Sequence, residues 1–342
     1  DGSGNLIWAK HIASQKLYTD IAVKNNNVYL CGSFNQTVDF DPGSGTANLS
    51  VGSAYSWFFA KYDSAGNYVY AKYLNNSSGT SNLIYGGNGI AIDDNENTYL
   101  FGNFTTTVDF DPGAGTANLT ASLSTAMYLA KYDATGNYLW AKNLDIDGSS
   151  AGYISFDNSG NILLTGNYFS TGDFDPNAGI AIQNTVPTGV HNMFLAKYDV
   201  NGNYIAATSF GGYLQDYAAG MAVDDADNIY LSGTMLSDTC DFEPGAGELL
   251  LTKSSSGIMF NVFYAKYGPL FPSAIDETES LPFKIYPNPS SGKFVVELNL
   301  TSSAPFQITD ITGRTITEGI FSAQKNEIDL SNAASGVYFL KI

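Results

Sequence analysis

The chain has 342 residues, more than one compact core fills, so its length points to two domains or an array of repeats. Lys and Arg total 15 against 33 Asp and Glu, a net charge of -18 with no basic stripe, which argues against nucleic acid and anionic membrane as partners. Charged residues make up only 14%, whereas Gly, Tyr and Phe abound in the manner of β-strands joined by polar turns, and without a run of 18 apolar residues no transmembrane segment is expected.

The N-terminus, Asp1-Gly2-Ser3-Gly4, carries neither a basic n-region nor an apolar h-region. Self-similarity then dominates to about residue 268. The turn and strand from Gly4 to Lys10 (GNLIWAK) recur at Gly66 to Lys72, Gly136 to Lys142 and Gly202 to Thr208. A second block, IAVKNNNVYLCGSF from Ile21, returns from Ile90, Ile154 and Met221. A third, VDFDPGSGT from Val38, returns from Val108, Gly172 and Cys240, and FFAKYD from Phe58 returns from Tyr128, Phe194 and Phe263. No stretch has helical period, so the fold class is all-β.

Within one repeat, AKYD-x-x-GN predicts a tight turn between two strands and IAxD-x-x-x-N-x-YL a second hairpin. Two hairpins make a four-stranded sheet, and the Pro- and Gly-rich excursion through FDPGxGT is expected to lead to the next. The expected repeats are about 1–60, 61–130, 131–196 and 197–268. A sheet that is apolar on both faces must stack on its neighbours, and radial stacking gives a β-propeller, against a linear β-solenoid whose usual repeats are shorter. The blocks resemble the SBBP-type β-propeller repeats of secreted Bacteroidetes proteins. That family usually has more than four blades, and Asp1 to Asn5 matches the tail of a turn whose leading strand is missing, which reads as a fragment cut inside a blade. The alternative is a closed ring of four, in which Phe263 to Gly268 forms a hairpin with Leu6 to Lys10. Cys31 and Cys240 exclude a disulfide framework but leave one pairing open.

The repeat stops after Gly268, and 269–282, with Asp276, Glu277, Thr278 and Glu279, reads as an exposed linker. Residues 283–342 predict short strands at 283–286, 293–300, 306–310, 315–321, 327–330 and 337–342, an Ig-like β-sandwich. KIYPNPSSGKFVVEL, ITDITGRTI and IDLSNAASGVYFLKI resemble the type A C-terminal sorting domain of the type IX secretion system. The resemblance implies recognition by that export machinery, removal by a surface sortase and attachment to anionic lipopolysaccharide, hence an extracellular or outer-membrane location. The matching positions are Tyr286, Pro287, Asn288, Pro289, Gly292, Asp310, Gly313, Arg314, Gly336 and Tyr338. Family members generally continue for one more strand. Structurally, the prolines would hold an extended lead-in, Gly313 and Gly336 would allow tight turns, and Asp310 would cap one, leaving Arg314 as the charge that machinery could read directly.

Chemistry is sparse. His11 and His191 lack metal-ligand spacing, and no GxSxG, HExxH or P-loop run occurs, so an enzyme is not expected. The recurrent acidic pairs Asp39 and Asp41, Asp109 and Asp111, Asp173 and Asp175, and Asp241 and Glu243 read first as turn carboxylates bound to local amides. Calcium is the alternative, because i and i+2 carboxylates share one side of a strand. Tyr62, Tyr132 and Tyr198 read as packing between blades rather than sugar platforms. The function expected is a secreted or surface-attached, non-enzymatic scaffold or adhesive platform for a protein or glycan ligand. The alternatives are the support of a hydrolase encoded upstream and a calcium-assisted lectin.

Overall fold

The computed structural model describes residues 2–12, 20–53, 55–75, 89–123, 125–185, 191–243, 249–253, 260–269, 283–288, 290, 292–298, 303–310, 314–334 and 336–341. Among the described residues every regular element is a strand, and the chain divides into two compact units, Asp1–Phe271 and Pro272–Ile342. The acidic linker residues 276–279 lie outside the described residues.

The first sheet of the repeat unit runs β1-β2-β5-β6, all antiparallel, from β1 (Asp20–Lys24), β2 (Asn27–Phe34), β5 (Ser56–Tyr62) and β6 (Tyr68–Tyr73). A small hairpin, β3 (Thr37–Asp39) with β4 (Asn48–Ser50), is inserted between β2 and β5. The second sheet repeats this plan with β7 (Gly89–Ile92), β8 (Thr98–Phe104), the hairpin β9 (Thr107–Asp109) and β10 (Asn118–Thr120), then β11 (Ala126–Tyr132) and β12 (Tyr138–Phe156). Strand β12 is shared: up to Leu144 it pairs with β11, and from Asp145 onward with β13 (Ile162–Asp173) of the third sheet. That sheet continues through β15 (His191–Tyr198) and β16 (Tyr204–Gly212), with β14 (Ile182–Asn184) folded on β13. The fourth has β17 (Asp216–Val223), β18 (Ile229–Met235), the hairpin β19 (Thr239–Asp241) and β20 (Leu250–Thr252), and β21 (Asn261–Tyr267).

This grouping corrects one expectation. The FDPGxGT excursion does not lead from one sheet to the next but lies inside a sheet, because β2 pairs with β5 across it, Val28 opposite Tyr62. The breaks drawn at 60, 130 and 196 therefore fall within β5, β11 and β15. Turn chemistry is local and was readable, whereas the choice of which hairpins share a sheet is made by pairing across a loop. The pairing that the alternative of a closed four-blade ring would need is not seen among the described residues, where β21 pairs with β18 alone and Leu6 to Lys10 pairs with no strand.

The turns show why the strands reverse where they do. Asp63 Oδ1 accepts the amides of Ala65 (2.8 Å) and Asn67 (2.9 Å), Asn67 Nδ2 donates to Asp63 Oδ2 (2.9 Å), and Gly66 takes the left-handed φ of 74° that closes the turn. Asp133 with Asn137 and Asp199 with Asn203 repeat the arrangement. Strands β5, β8 and β11 each lie between two neighbouring strands and are buried along their whole length. Tyr29, Cys31, Trp57 and Phe59 of the first sheet share a core with Ile90, Phe104, Phe110 and Tyr132 of the second. Corresponding cores join the second sheet to the third and the third to the fourth.

The second unit has two three-stranded antiparallel sheets, β22-β23-β26 and β25-β24-β27. They are built from β22 (Phe283–Tyr286), β23 (Lys293–Leu298), β24 (Ala304–Asp310), β25 (Thr315–Phe321), β26 (Lys325–Asp329) and β27 (Tyr338–Lys341). Val296, Leu298 and Ile328 from one sheet meet Ile308 and Phe321 from the other in a single core, where the Phe306 and Phe321 rings stack at 4.2 Å.

Candidate functional site

The recurrent acidic pairs are built into their loops by one pattern. Asp39 Oδ1 accepts the amides of Asp41 (3.0 Å) and Ala47 (2.8 Å), and Asp41 Oδ1 accepts that of Gly43 (2.8 Å). Asp109 does the same with Asp111 (3.1 Å) and Ala117 (2.7 Å), and Asp173 with Asp175 (3.1 Å) and Ala181 (2.8 Å). Asp241 does so with Glu243 (2.9 Å) and Leu249 (3.0 Å). The second carboxylate rests on the backbone of the loop's last glycine. A Cβ at Gly45 or Gly115 would stand 2.1 Å from Asp41 or Asp111 Oδ2, and one at Gly179 would stand 2.0 Å from Asp175 Oδ2. The spacing of the block thus follows from close packing of a carboxylate on a residue without a side chain.

The first Asp also carries the junction between sheets. The amide of Asn75, just after β6, donates to the Asp109 carbonyl (3.1 Å) and the Asp109 amide donates back (2.9 Å). Asp145 opposite Asp173 and Gly211 opposite Asp241 repeat the contact. Among the described residues no three His, Cys, Asp or Glu side chains converge as a metal ligand set. The loops present carboxylates in pairs.

Tyrosine completes the loop. Tyr62, Tyr132, Tyr198 and Tyr267 donate their hydroxyls to the carbonyls of Phe40, Phe110, Phe174 and Phe242 at 2.9–3.1 Å. The rings of Tyr62, Tyr132 and Tyr198 are buried, and burial pushes their hydroxyls well above the ordinary range. They offer no face to a sugar.

The lysine of AKYD pairs with a carboxylate at the first hairpin of its sheet. Lys197 meets Asp157 at 2.8 Å with both side chains almost fully buried, and Lys131 meets Asp93 at 3.7 Å. Burial alone would raise Asp157, but the hydrogen bonds from Lys197 and Asn161 outweigh it and hold the carboxyl below its usual value. In the first sheet a lysine, Lys24, stands at that position, and Lys61 instead reaches Glu96 of the second sheet at 2.6 Å. Lys61, Asn25 and Tyr29 all donate to Glu96 and bring its carboxyl down to about 2.

His11 is exposed, while His191 lies in another repeat between Phe169 and Tyr217. Burial lowers its imidazole and Asp147 draws it back up. The cysteines are buried and unbridged. One constellation escaped sequence reasoning: buried Asp216 accepts the amides of Gly212, Leu236 and Ser237, the Ser237 hydroxyl and the Cys240 thiol, at 2.7–3.0 Å. Its only sequence signal is an Asp at the first position of an apolar strand.

In the second unit Tyr286, Pro287 and Asn288 stand exposed at the end of β22, and the Tyr286 hydroxyl donates to Glu297 Oε2 (2.7 Å). Gly292 has a φ of 108°, and a Cβ there would lie 2.7 Å from the Ser331 Cα, so both conformation and space require glycine. Gly336 differs from expectation: its φ is not left-handed and open space surrounds it, so nothing local demands glycine. Asp310 faces Tyr338 across the β24–β27 ladder, the Tyr338 hydroxyl donates to the Ala334 carbonyl, and Arg314 is exposed. Pro289, Gly313 and the Asp310 side chain lie outside the described residues. Tyr286 ends β22 and Gly292 directly precedes β23 of the same sheet, while Asp310 and Tyr338 belong to the other.

Residues 284–342 match the family described as a secretion system C-terminal sorting domain. A chain carrying that domain is exported to the cell surface or the extracellular space and interacts with the type IX secretion machinery. The chain is also similar to an uncharacterized WD repeat-containing protein of Acanthamoeba polyphaga mimivirus, 27% identical over 149 residues. That similarity takes in 38% of this chain and 11% of the viral protein.

Proposed function

We propose that the chain is a non-enzymatic surface platform: an array of β-propeller blades that serves as a scaffold or adhesive surface, carried out of the cell by its C-terminal sorting domain. The observation that carries this reading is the use made of the recurrent polar residues. The first aspartate of each loop binds amides, the tyrosines bind phenylalanine carbonyls, and the lysines bind hairpin carboxylates, so the repeated chemistry serves to hold sheets together. Residues that vary among repeats remain for recognition, as in other scaffolds whose loops carry function. The resemblance of the blocks to SBBP-type blades of Bacteroidetes, and the viral relative's WD repeats, support the propeller, since WD repeats are four-stranded blades.

The export half is tested by fusing residues 283–342 to an unrelated periplasmic reporter in a host with type IX machinery. The reporter is expected at the cell surface. A folded fusion retained in the periplasm would refute the addressing role. The platform half is tested by comparing cells that display the chain with cells whose export is blocked, for adhesion to immobilised glycan and protein coats. Equal adhesion on every coat would refute the adhesive role.

A further inference from the structure

The repeats differ at the internal junction where the third sheet meets the fourth. Phe169 of β13, His191 at the start of β15 and Tyr217 of β17 bring three rings together there. Ring centroids are 5.1 Å apart for Phe169 and His191 and 6.3 Å apart for His191 and Tyr217. In the same blocks the first sheet carries Asn35 and Tyr55, and the second Thr105 and Thr125, where the third has Phe169 and His191, so this ring pair is no part of the recurrent framework. The Tyr217 hydroxyl donates to Gln215 Oε1 (2.6 Å) and fixes that carboxamide beside the rings. Ala218, the next residue along β17, donates its amide to Asn167 Oδ1 of the third sheet (2.9 Å) and ties the two sheets at this point.

The rings stay partly open to solvent although both flanking sheets are in place. Phe169 is 37% exposed, and Tyr213, two residues ahead of Gln215 in the loop from β16 to β17, is 73% exposed. That loop is anchored from the other side of the chain, because Asp216 stands between Gln215 and Tyr217 and projects opposite to them. Its buried carboxylate accepts the Gly212 amide (2.9 Å) and the Ser237 hydroxyl (2.7 Å), and Ser237 Oγ in turn accepts the Leu214 amide (2.8 Å). Gly212 packs so closely that a Cβ would stand 2.2 Å from the Thr239 carbonyl oxygen. A loop held on both sides of Tyr213 presents its ring with little freedom left to lose on binding. Burial holds the His191 imidazole below its ordinary value against the pull of nearby Asp147 of β12, so it is uncharged at neutral pH.

We propose that Phe169, His191, Tyr217, Gln215 and Tyr213, with Asp147, form a binding strip for a neutral glycan. Sugars present C–H faces that lie on aromatic rings and hydroxyls that pair with carboxamide, imidazole and carboxylate groups, and the strip supplies both kinds of partner. Charge selects among glycans. None of these side chains is cationic at neutral pH and the chain carries a net charge of -18, so sialylated, sulfated and uronate polymers are repelled. Size selects a glycan over a protein, since a stable protein interface takes about 20–30 residues a side and the strip offers a handful. The inference rests on the platform reading above and names its ligand, at residues that vary among the repeats and without calcium.

Affinity electrophoresis of the full chain tests it, through gels containing starch, xylan, mannan or mixed-linkage β-glucan, with pectin and heparin as acidic counterparts. At least one neutral polymer should retard the chain, the acidic ones should not, and EDTA should change neither result. Tyr213→Ala, at a solvent-facing position, should weaken the retardation about tenfold with circular dichroism unchanged. Tyr217→Phe keeps the ring but releases Gln215 and should weaken it less. Tyr230→Ala, an exposed ring of β18 outside the strip, should leave it as it is. A wild type that no neutral gel retards would overturn the proposal, as would retardation that survives Tyr213→Ala and Phe169→Ala together. Cells displaying the chain that adhere to a protein coat but to none of these polymers would refute the glycan strip and leave the platform reading standing.

Discussion

If the first aspartate of each acidic pair acts as a loop lock, removing it should be costly and replacing it by its amide should not. Asp109 is the best placed for the test, because it is half-buried and binds the amides of Asp111 (3.1 Å) and Ala117 (2.7 Å). A hydrogen bond to a charged acceptor contributes about 1.5–3 kcal/mol, and partial exposure argues for the low end, so Asp109→Ala should cost about 2–3 kcal/mol in all. Asp109→Asn retains Oδ1, whose lone pairs serve both amides, and should cost less than about 1 kcal/mol. Asp39→Ala in the first sheet should cost less than Asp109→Ala, since Asp39 is exposed and water can replace its carboxylate. Stacked repeats open locally, so hydrogen exchange at the Ala117 amide should be read beside the urea midpoint of the full chain. The Ala variant should lose protection there and the Asn variant should retain it, with EDTA changing neither. If Asn is as damaging as Ala, and EDTA lowers the wild-type midpoint by the same amount, the carboxylate holds a cation and the lock is wrong.

Other expected outcomes follow from the same contacts. Lys197→Met strands the buried Asp157 carboxylate and should destabilise the third sheet by about 3–5 kcal/mol, seen as a lower urea midpoint, whereas a change below about 1 kcal/mol would show that the pair contributes little. Tyr132→Phe leaves the Phe110 carbonyl without its donor at a fully buried site and should cost about 1–3 kcal/mol by the same measurement, more than Tyr267→Phe at the partly exposed end. Glu96 has its folded carboxyl near about 2 against an ordinary value of 4.5, so its contribution is whole above 4.5 and is lost as pH falls towards 2. Lys61→Met should flatten that part of a stability–pH curve, and an unchanged acid limb would refute the coupling. Gly292→Val should unfold the second unit while Gly336→Val leaves it folded, as judged by exchange protection on β23 and β26; the reverse order would contradict the backbone described for the two glycines.

Much of the architecture was legible because the signals were local and repeated. The D-x-x-x-N runs from Asp63, Asp93, Asp133, Asp157, Asp199 and Asp224 each form an Asx-bonded turn, and the alternating aromatic runs between them form strands. The division near residue 270 and the strands of the second unit follow from the same local grammar, and the sorting motif was readable as three ordered blocks. Pairing was not legible. A tandem repeat carries no mark of where one sheet begins, so the placement of FDPGxGT inside a sheet was decided by β2 reaching β5 across the loop. The roles of the acidic residues were likewise set by distance in space: the Asp109 carboxylate closes on Ala117, eight residues ahead, while its backbone closes on Asn75 of the preceding repeat. Lys61 found Glu96 only because the first sheet lacks the aspartate that its counterparts use. Which apolar faces would stay open was invisible as well. Ile21 and Ile90 occupy equivalent positions in nearly identical blocks, and only the presence of a neighbouring sheet over one of them makes it core.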